Sequence, residues 1–412
     1  MAAANQTLAA RDAADVAEAV GWANAQGKAI AVEGGGSKAG VGCPFAADLT
    51  LSLAGLSGVI DYEPSELVLT AQAGAPLAEI EALLATRGQQ LAFEPIDHGP
   101  LFGAPAGRAT LGGIIAANVS GPRRIKVGAA RDHFLGFAGV SGRGEAFKAG
   151  GKVVKNVTGY DLAKLMAGSW GTLAVLTEVT VKVMPRAPRA TTLLVAGAAD
   201  ETAVKVMSAA LGAQAEVTGV AHLPAALALR APVAALTRAG AAITAIRVEG
   251  VGPGMTASAW AIGGALSGLD MPPPLDDEDT ARLWRWIGEA AAFAAGDDQV
   301  WRLSLAPTLG PAAVAAIRAQ IAAEAFYDWG GGLVWLSCAD TGPVGQVVRD
   351  AVAALGGHAT LVRASPATRA AIGAFQPEPA ALAALSRRVK ASFDPQGVLN
   401  PGRLWPLAPA KA

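Results

Sequence analysis

Apolar positions recur at helical spacing from about Asp12, with Val16, Ala19, Val20 and Ala23 on one face and Gly27 after them. That pattern predicts a helix opened by an aspartate cap and closed by glycine. Short apolar runs then predict strands at Ala29–Glu33, Leu49–Leu53 and Leu67–Ala73, with the loop Gly34–Gly42 after the first. Pro76 at the first helical position, with Leu77, Ile80, Leu83 and Leu84 inward, predicts a helix that Gly88 ends. From 109 to 183, glycine turns alternate with strands, the last at Leu173–Val183, and Pro185 and Pro188 mark a boundary.

Beyond that boundary the texture changes. A strand at Thr191–Val195 precedes a helix near Glu201–Leu211 and a strand near Glu216–Ala221. The same alternation recurs in Ala242–Val248 and the helix after it, in Leu303–Leu305 with helix Pro311–Glu324, and in Leu333–Ser337 with helix Val344–Leu355. Such spacing predicts an open sheet covered by helices on one face. The acidic run Asp276–Asp279 opens helix Thr280–Ala292, where it complements the helix dipole. A final helix near Pro379–Ala391 feeds the tail Ser392–Arg403. The class is α+β, with expected domains at 1–188 and 189–375 and a tail, 376–412, that returns to the first.

Composition narrows the function. The chain has 412 residues, 52% of them hydrophobic and 16% charged, enough to bury a sizeable interior. Lys and Arg number 33 against 34 Asp and Glu, and no basic tract occurs, so no nucleic-acid surface is expected. Cys43 and Cys338 are far apart and form no CxxC, which leaves no cysteine-ligated cluster within the chain. The N-terminus lacks the charged and apolar regions of a signal peptide. The uncharged run between Glu249 and Asp270 is broken by glycines and Pro253, so it reads as a buried strand, turn and helix rather than a membrane span. A cytoplasmic protein is expected, peripheral at the inner membrane at most.

Candidate chemistry lies in glycine loops. Gly34–Gly36 with Ala39 fits a loose dinucleotide fingerprint, but Gly40-Val-Gly-Cys-Pro44 cannot open the helix that fingerprint needs. A Walker loop fails too, for want of a Gly-Lys-Ser/Thr. What remains is either a flexible hairpin or a backbone nest for a diphosphate. Two further segments bear on that choice: Thr110-Leu-Gly-Gly-Ile-Ile-Ala-Ala-Asn-Val-Ser-Gly121, and Gly150-Gly-Lys-Val-Val-Lys-Asn-Val-Thr-Gly-Tyr-Asp161 with Gly168-Ser-Trp-Gly-Thr-Leu173.

In this order the three segments resemble the flavin-contacting stretches of the PCMH-type (vanillyl-alcohol-oxidase-like) FAD-binding family. The resemblance implies that Gly34, Gly35, Gly36, Ser37 and Lys38 cradle the diphosphate of FAD. Thr110, Gly112, Gly113, Asn118 and Gly121 would line the flavin–pyrophosphate bend, and Gly159, Tyr160, Asp161, Gly171 and Val175 would complete the pocket. The tail Asp394-Pro-Gln-Gly-Val-Leu-Asn-Pro-Gly402, with Asn400, resembles the family's ending, which folds back near the flavin. Phe93–His98, Ser120–Arg124, Lys155–Asp161 and Asp328–Gly332 resemble the flavin-binding E subunits of bacterial glycolate oxidases. That finer resemblance implies oxidation of glycolate, a small 2-hydroxy acid, to glyoxylate. It also implies a larger FAD-binding partner subunit and an iron–sulfur subunit that carries electrons onward.

The chain also departs from its wider family. No histidine lies in the first loop and Cys43 reads as a small buried residue, so non-covalent FAD is expected. Histidines 98, 133, 222 and 358 form no His-x-His or i, i+4 pair, so no metal site is expected. Arg123, Arg124, Arg131 and Arg403 are candidate cations for a substrate carboxylate, and Tyr160 and Trp329 candidate walls for the isoalloxazine. No catalytic base is identifiable. Two other readings stay open: a flavin-holding structural or electron-relay subunit without turnover, and a stand-alone FAD-dependent alcohol or sugar oxidase.

Overall fold

The computed structural model describes residues 6–152, 159–340 and 344–406. Residues 153–158 of the third glycine-rich segment lie outside the described residues. The chain divides into two compact units, one of 1–119, 128–186 and 373–412, the other of 120–127 and 187–372.

The first unit opens as its pattern dictates. Asp12 caps helix Ala13–Gln26, its carboxylate accepting the N–H groups of Ala14 and Asp15 at 2.9 Å, and Gly27 ends the helix at φ 61°. Val16, Ala19, Val20 and Ala23 bury against a parallel sheet whose strands lie in the order Gln6–Ala9, Leu49–Ser52, Ile30–Glu33. A second, antiparallel sheet runs Val59–Glu63, Val68–Gln72, Ala174–Lys182, Phe134–Ser141, Ala146–Gly150. Helices Leu77–Ala85 and Leu111–Ala117 share its core. The latter interrupts the expected alternation of strands and turns, because Thr110 and Asn118 cap its two ends. The returning segment closes the unit: Leu399 bridges Ile30 in parallel, and Lys390 binds Asp394 and the carbonyls of Thr172 (2.6 Å) and Leu399 (3.0 Å).

The second unit holds a seven-stranded antiparallel sheet, ordered Arg189–Ala196, Ile243–Gly250, Val217–Leu223, Ala323–Asp328, Leu333–Cys338, Gln299–Ser304, His358–Arg363. Two of these strands depart from the sequence reading. The expected helix to Glu324 stops at Arg318, since Ala325 and Tyr327 alternate into the core as a strand, and His358–Arg363 adds an unforeseen edge. Side chains of helices Asp200–Gly212, Gly310–Arg318 and Val344–Ala353 bury on one face with Ile246, Leu303 and Leu336. Helix Asp277–Gly288 takes the other: its Trp284 lies 4.6 Å from the Arg247 guanidinium and donates to Thr192 Oγ1 at 2.9 Å.

Two further differences concern polarity. The uncharged run is not buried: in helix Gly252–Ala265 only Ser258 and Ile262 are buried, and Trp260 is 84% exposed. Among the described residues no helix is long and apolar enough to cross a membrane. Ser120–Val127 groups with the second unit, not with the 1–188 stretch, because Ile125 packs on that unit's core and Arg123 pairs with Glu249.

Candidate flavin site

Strand Ile30–Glu33 runs directly into the triple glycine. A Cβ on Gly34 would collide with Thr110 Oγ1, and one on Gly35 with the Arg108 carbonyl. Glycine is therefore what lets the first loop press backbone-close against the second segment. The chain continues in turns, Ala39 N–H to Gly36 O at 3.1 Å and Val41 N–H to Lys38 O at 3.0 Å, so no helix opens here.

Ser37 and Lys38 are buried in this loop, and Lys38 Nζ lies 3.2 Å from Ser37 Oγ. Burial pushes the Lys38 ammonium down to about 8, with Asp97 opposing that fall and Arg403 adding to it. Arg403 Nη2 donates to the Lys38 carbonyl at 2.8 Å, and its guanidinium stands 5.3 Å over Trp170. Two cations beside a glycine loop, one of them desolvated, form the donor set that a diphosphate would neutralise.

The second segment is held as a short helix. Thr110 Oγ1 accepts Gly113 N–H at 3.3 Å, Gly112 N–H donates to Ala73 O at 2.8 Å, and Asn118 takes φ 50° at the C-terminus. Asn118 Oδ1 then accepts Arg131 N–H at 2.9 Å. The third segment backs onto this helix, with Trp170 N–H on Ala116 O at 2.8 Å and Gly168 N–H on Ile115 O at 3.2 Å. Gly171, at φ 67°, lies where a Cβ would come 2.9 Å from Asn400 Nδ2. Val175 is fully buried behind it.

The first unit thus brings together Gly34–Lys38, Thr110–Asn118, Gly171, Val175 and Asn400. It does not gather the rest in the same way. Tyr160 is 92% exposed after Gly159, and Asp161 caps helix Leu162–Met166 through Lys164 N–H at 3.2 Å. Gly121 belongs to the second unit, where its carbonyl accepts Trp329 Nε1–H at 3.1 Å.

Among the candidate cations, Arg123 forks onto Glu249 at 2.6 and 3.0 Å and Arg131 is exposed. Arg124 lies 4.2 Å over the Trp329 ring. Sequence reasoning missed Arg108 and singled out Asp97 only as part of the resembling stretch Phe93–His98; both shape the candidate site from within the loop before Thr110. Asp97 accepts Gly99 N–H at 2.9 Å and Gly107 N–H at 2.7 Å. No spacing in the chain signals that pair.

Three of the four histidines are buried. His98 and His133 are buried, the latter 5.3 Å from the Phe93 ring, and His222 meets Thr244 Oγ1 at 3.0 Å. Among the described residues no group of three His, Cys, Asp or Glu gathers as metal ligands. Cys43 and Cys338 are buried and not disulfide-bonded.

Fold and site together define a class: an α+β flavoprotein in two units, with glycine loops of one unit suited to a dinucleotide diphosphate. An FAD-binding-domain model matches residues 4–150. Glycolate oxidase subunit GlcE of Escherichia coli is 33% identical over 378 residues, 91% of this chain and 92% of that one. A D-2-hydroxyglutarate dehydrogenase of Xanthomonas citri is 35% identical over 47% of this chain and 40% of that protein. In structure, p-cresol methylhydroxylase covers 97% of this chain and 88% of its own at TM-score 0.70 and 13% identity, a likeness of fold. The chain belongs to the PCMH-type (vanillyl-alcohol-oxidase-like) FAD-binding family, and it is an FAD-dependent oxidoreductase.

Proposed function

We propose that this chain is the FAD-binding subunit of a glycolate oxidase complex, in which a small 2-hydroxy acid is oxidised and electrons pass to an iron–sulfur partner. The likeness to a glycolate oxidase subunit along 91% of the chain carries the reading. The first unit would hold FAD non-covalently. Gly34 to Lys38 would take the diphosphate, Lys38 and Arg403 supplying charge. Thr110, Gly112, Gly113, Asn118 and Gly121 would shape the bend, and Gly159, Tyr160, Asp161, Gly171, Val175 and Asn400 the flavin end. The flavin, when bound, supplies the hydride acceptor.

The larger FAD-binding subunit would be this chain's partner in the complex, and the iron–sulfur subunit would accept the electrons. The test is co-purification: the chain expressed with its genomic neighbours should yield a yellow complex that reduces an artificial dye with glycolate. A yellow chain whose flavin glycolate never bleaches, alone or in the complex, would leave only the relay role. A colourless chain that takes up no FAD would remove the site assignment.

A further inference from the structure

The second unit carries a cationic cluster that the flavin loops do not explain. Trp329 receives two guanidinium groups, Arg124 at 4.2 Å and Arg302 at 4.9 Å from its ring centroid. Trp329 is held through both its side chain and its backbone. Its Nε1–H donates to Gly121 O, its backbone N–H donates to Asp328 Oδ1 at 2.7 Å, and Trp329, Gly330 and Gly331 all take positive φ. A tryptophan at φ 52° is strained, and such strain persists where the surroundings impose it.

The two arginines differ from their neighbour Arg123. That residue is neutralised by Glu249, whereas neither Arg124 nor Arg302 has an ion pair among the described residues. Burial, together with repulsion from Arg124, pulls the Arg302 guanidinium down to about 10, with Asp328 acting against the fall. Register puts Arg302 opposite Trp335 and Thr360, and Ser304 opposite His358. Trp301, Leu303, Ala359 and Leu361 occupy the other face, the one that helices Gly310–Arg318 and Val344–Ala353 cover. The cluster therefore lies on a sheet face with a hydroxyl and an imidazole nearby. By sequence, Arg124 follows Asn118 of the second glycine segment by six positions.

We propose that Arg124 and Arg302, held on Trp329, form a carboxylate clamp that seats the acid group of the 2-hydroxy acid. Guanidinium is the side chain suited to this, since its planar fork pairs with both carboxylate oxygens. The clamp rests on the function proposed above for its substrate, but its binding chemistry can be measured without turnover.

The experiment uses the FAD-loaded full chain and titrates glycolate, oxalate and neutral ethylene glycol by tryptophan fluorescence. Wild type should bind the two acids and not the diol. Arg302→Met and Arg124→Met should each weaken acid binding about tenfold or more, with Arg302→Lys partly restoring it, because each removes a charged hydrogen-bond donor. FAD content, read from the visible spectrum, should stay at the wild-type level. Equal affinity in wild type and both methionine variants, with FAD retained, overturns the clamp, as does binding of the diol as tightly as the acids. So does absence of acid binding to wild type. In the assembled complex the clamp predicts a raised KM for glycolate in the variants. If wild type and variants oxidise glycolate alike, the clamp falls and the proposed function stands. Should wild type bind acids through these arginines yet oxidise no glycolate, the clamp stands and the proposed function falls.

Discussion

Asn400 closes the first unit on Val32: its Oδ1 accepts Val32 N–H at 2.8 Å, and its Nδ2 donates to Trp170 O at 2.7 Å. One buried amide thus joins the returning tail to the strand before the triple glycine and to the third glycine segment. Asparagine also tolerates the φ of 43° found here, which most side chains resist. Asn400→Ala leaves a buried donor and acceptor unpaired and adds backbone strain, a loss of about 2 kcal/mol or more. The expected result is a lower urea midpoint together with reduced FAD content. Asn400→Gly, which removes the strain but not the lost bonds, should recover part of the stability and none of the bridging.

Lys38 should make the candidate flavin site pH-dependent. Its folded pKa of about 8 lies below the ordinary lysine value of 10.5, so the unfolded chain binds more protons between those limits. The apoprotein should therefore gain stability as pH rises from about 8 towards 10.5. A diphosphate favours the charged form, so FAD affinity should be flat below about pH 8 and weaken above it, by up to about tenfold per pH unit. Asp97 and Arg403 face the same ammonium and set where the break falls. Fluorescence titration of apoprotein with FAD from pH 6 to about 10 checks this. Lys38→Met should bind more weakly and show no such break; a break that persists in the variant assigns it to another group.

Local signals carried far along this chain. Asp12 and Gly27 announce a helix because each acts through its own backbone neighbours, and the sheet strands alternate plainly where one face is buried. The helix Leu111–Ala117 was illegible because Gly112 and Gly113 are poor helix formers, and its caps and packing against Ala73 do what propensity does not. The helix read over Pro311–Glu324 runs past its end at Arg318 into strand Ala323–Asp328, and only the core places Ala325 and Tyr327 on one face. The glycine segments stand out as an ordered set, yet the environment of Lys38 does not. Arg403 reaches it across 365 positions, a juxtaposition made by the fold alone.

The neighbouring arginines of Ser120–Arg124 also divide in a way that chain order hides. Burial disfavours ionisation of Glu249, but Arg247 and the forked Arg123 outweigh it and hold the carboxyl below its usual range. Arg123→Met should cost about 1.5–3 kcal/mol, since it removes the charged fork while Arg247 stays 4.0 Å from the carboxylate. Glu249 with a depressed folded pKa contributes stability that is present above its unfolded pKa and is lost as pH falls through the folded value. Thermal melts from pH 7 down to about 3 should show this loss in wild type and a shallower one in Glu249→Gln. Additive effects of Arg123→Met and Glu249→Gln in a double-mutant cycle would contradict direct pairing.

Two glycines test whether close packing, rather than glycine content, shapes the candidate site. Gly35 abuts the Arg108 carbonyl, so Gly35→Ala forces the first loop away from the second segment. Overpacking against rigid backbone costs about 1–3 kcal/mol, and the loop that moves is the one assigned to the diphosphate. Lower stability and weaker FAD binding should appear together. Gly21 is the counterpart: it is exposed within helix Ala13–Gln26, and a Cβ added there would meet nothing within 4 Å. There Gly21→Ala removes only backbone freedom and should raise stability by about 0.5–1 kcal/mol, with FAD binding unchanged. If Gly35→Ala binds FAD as wild type does, the contact between the two loops is not what forms the site.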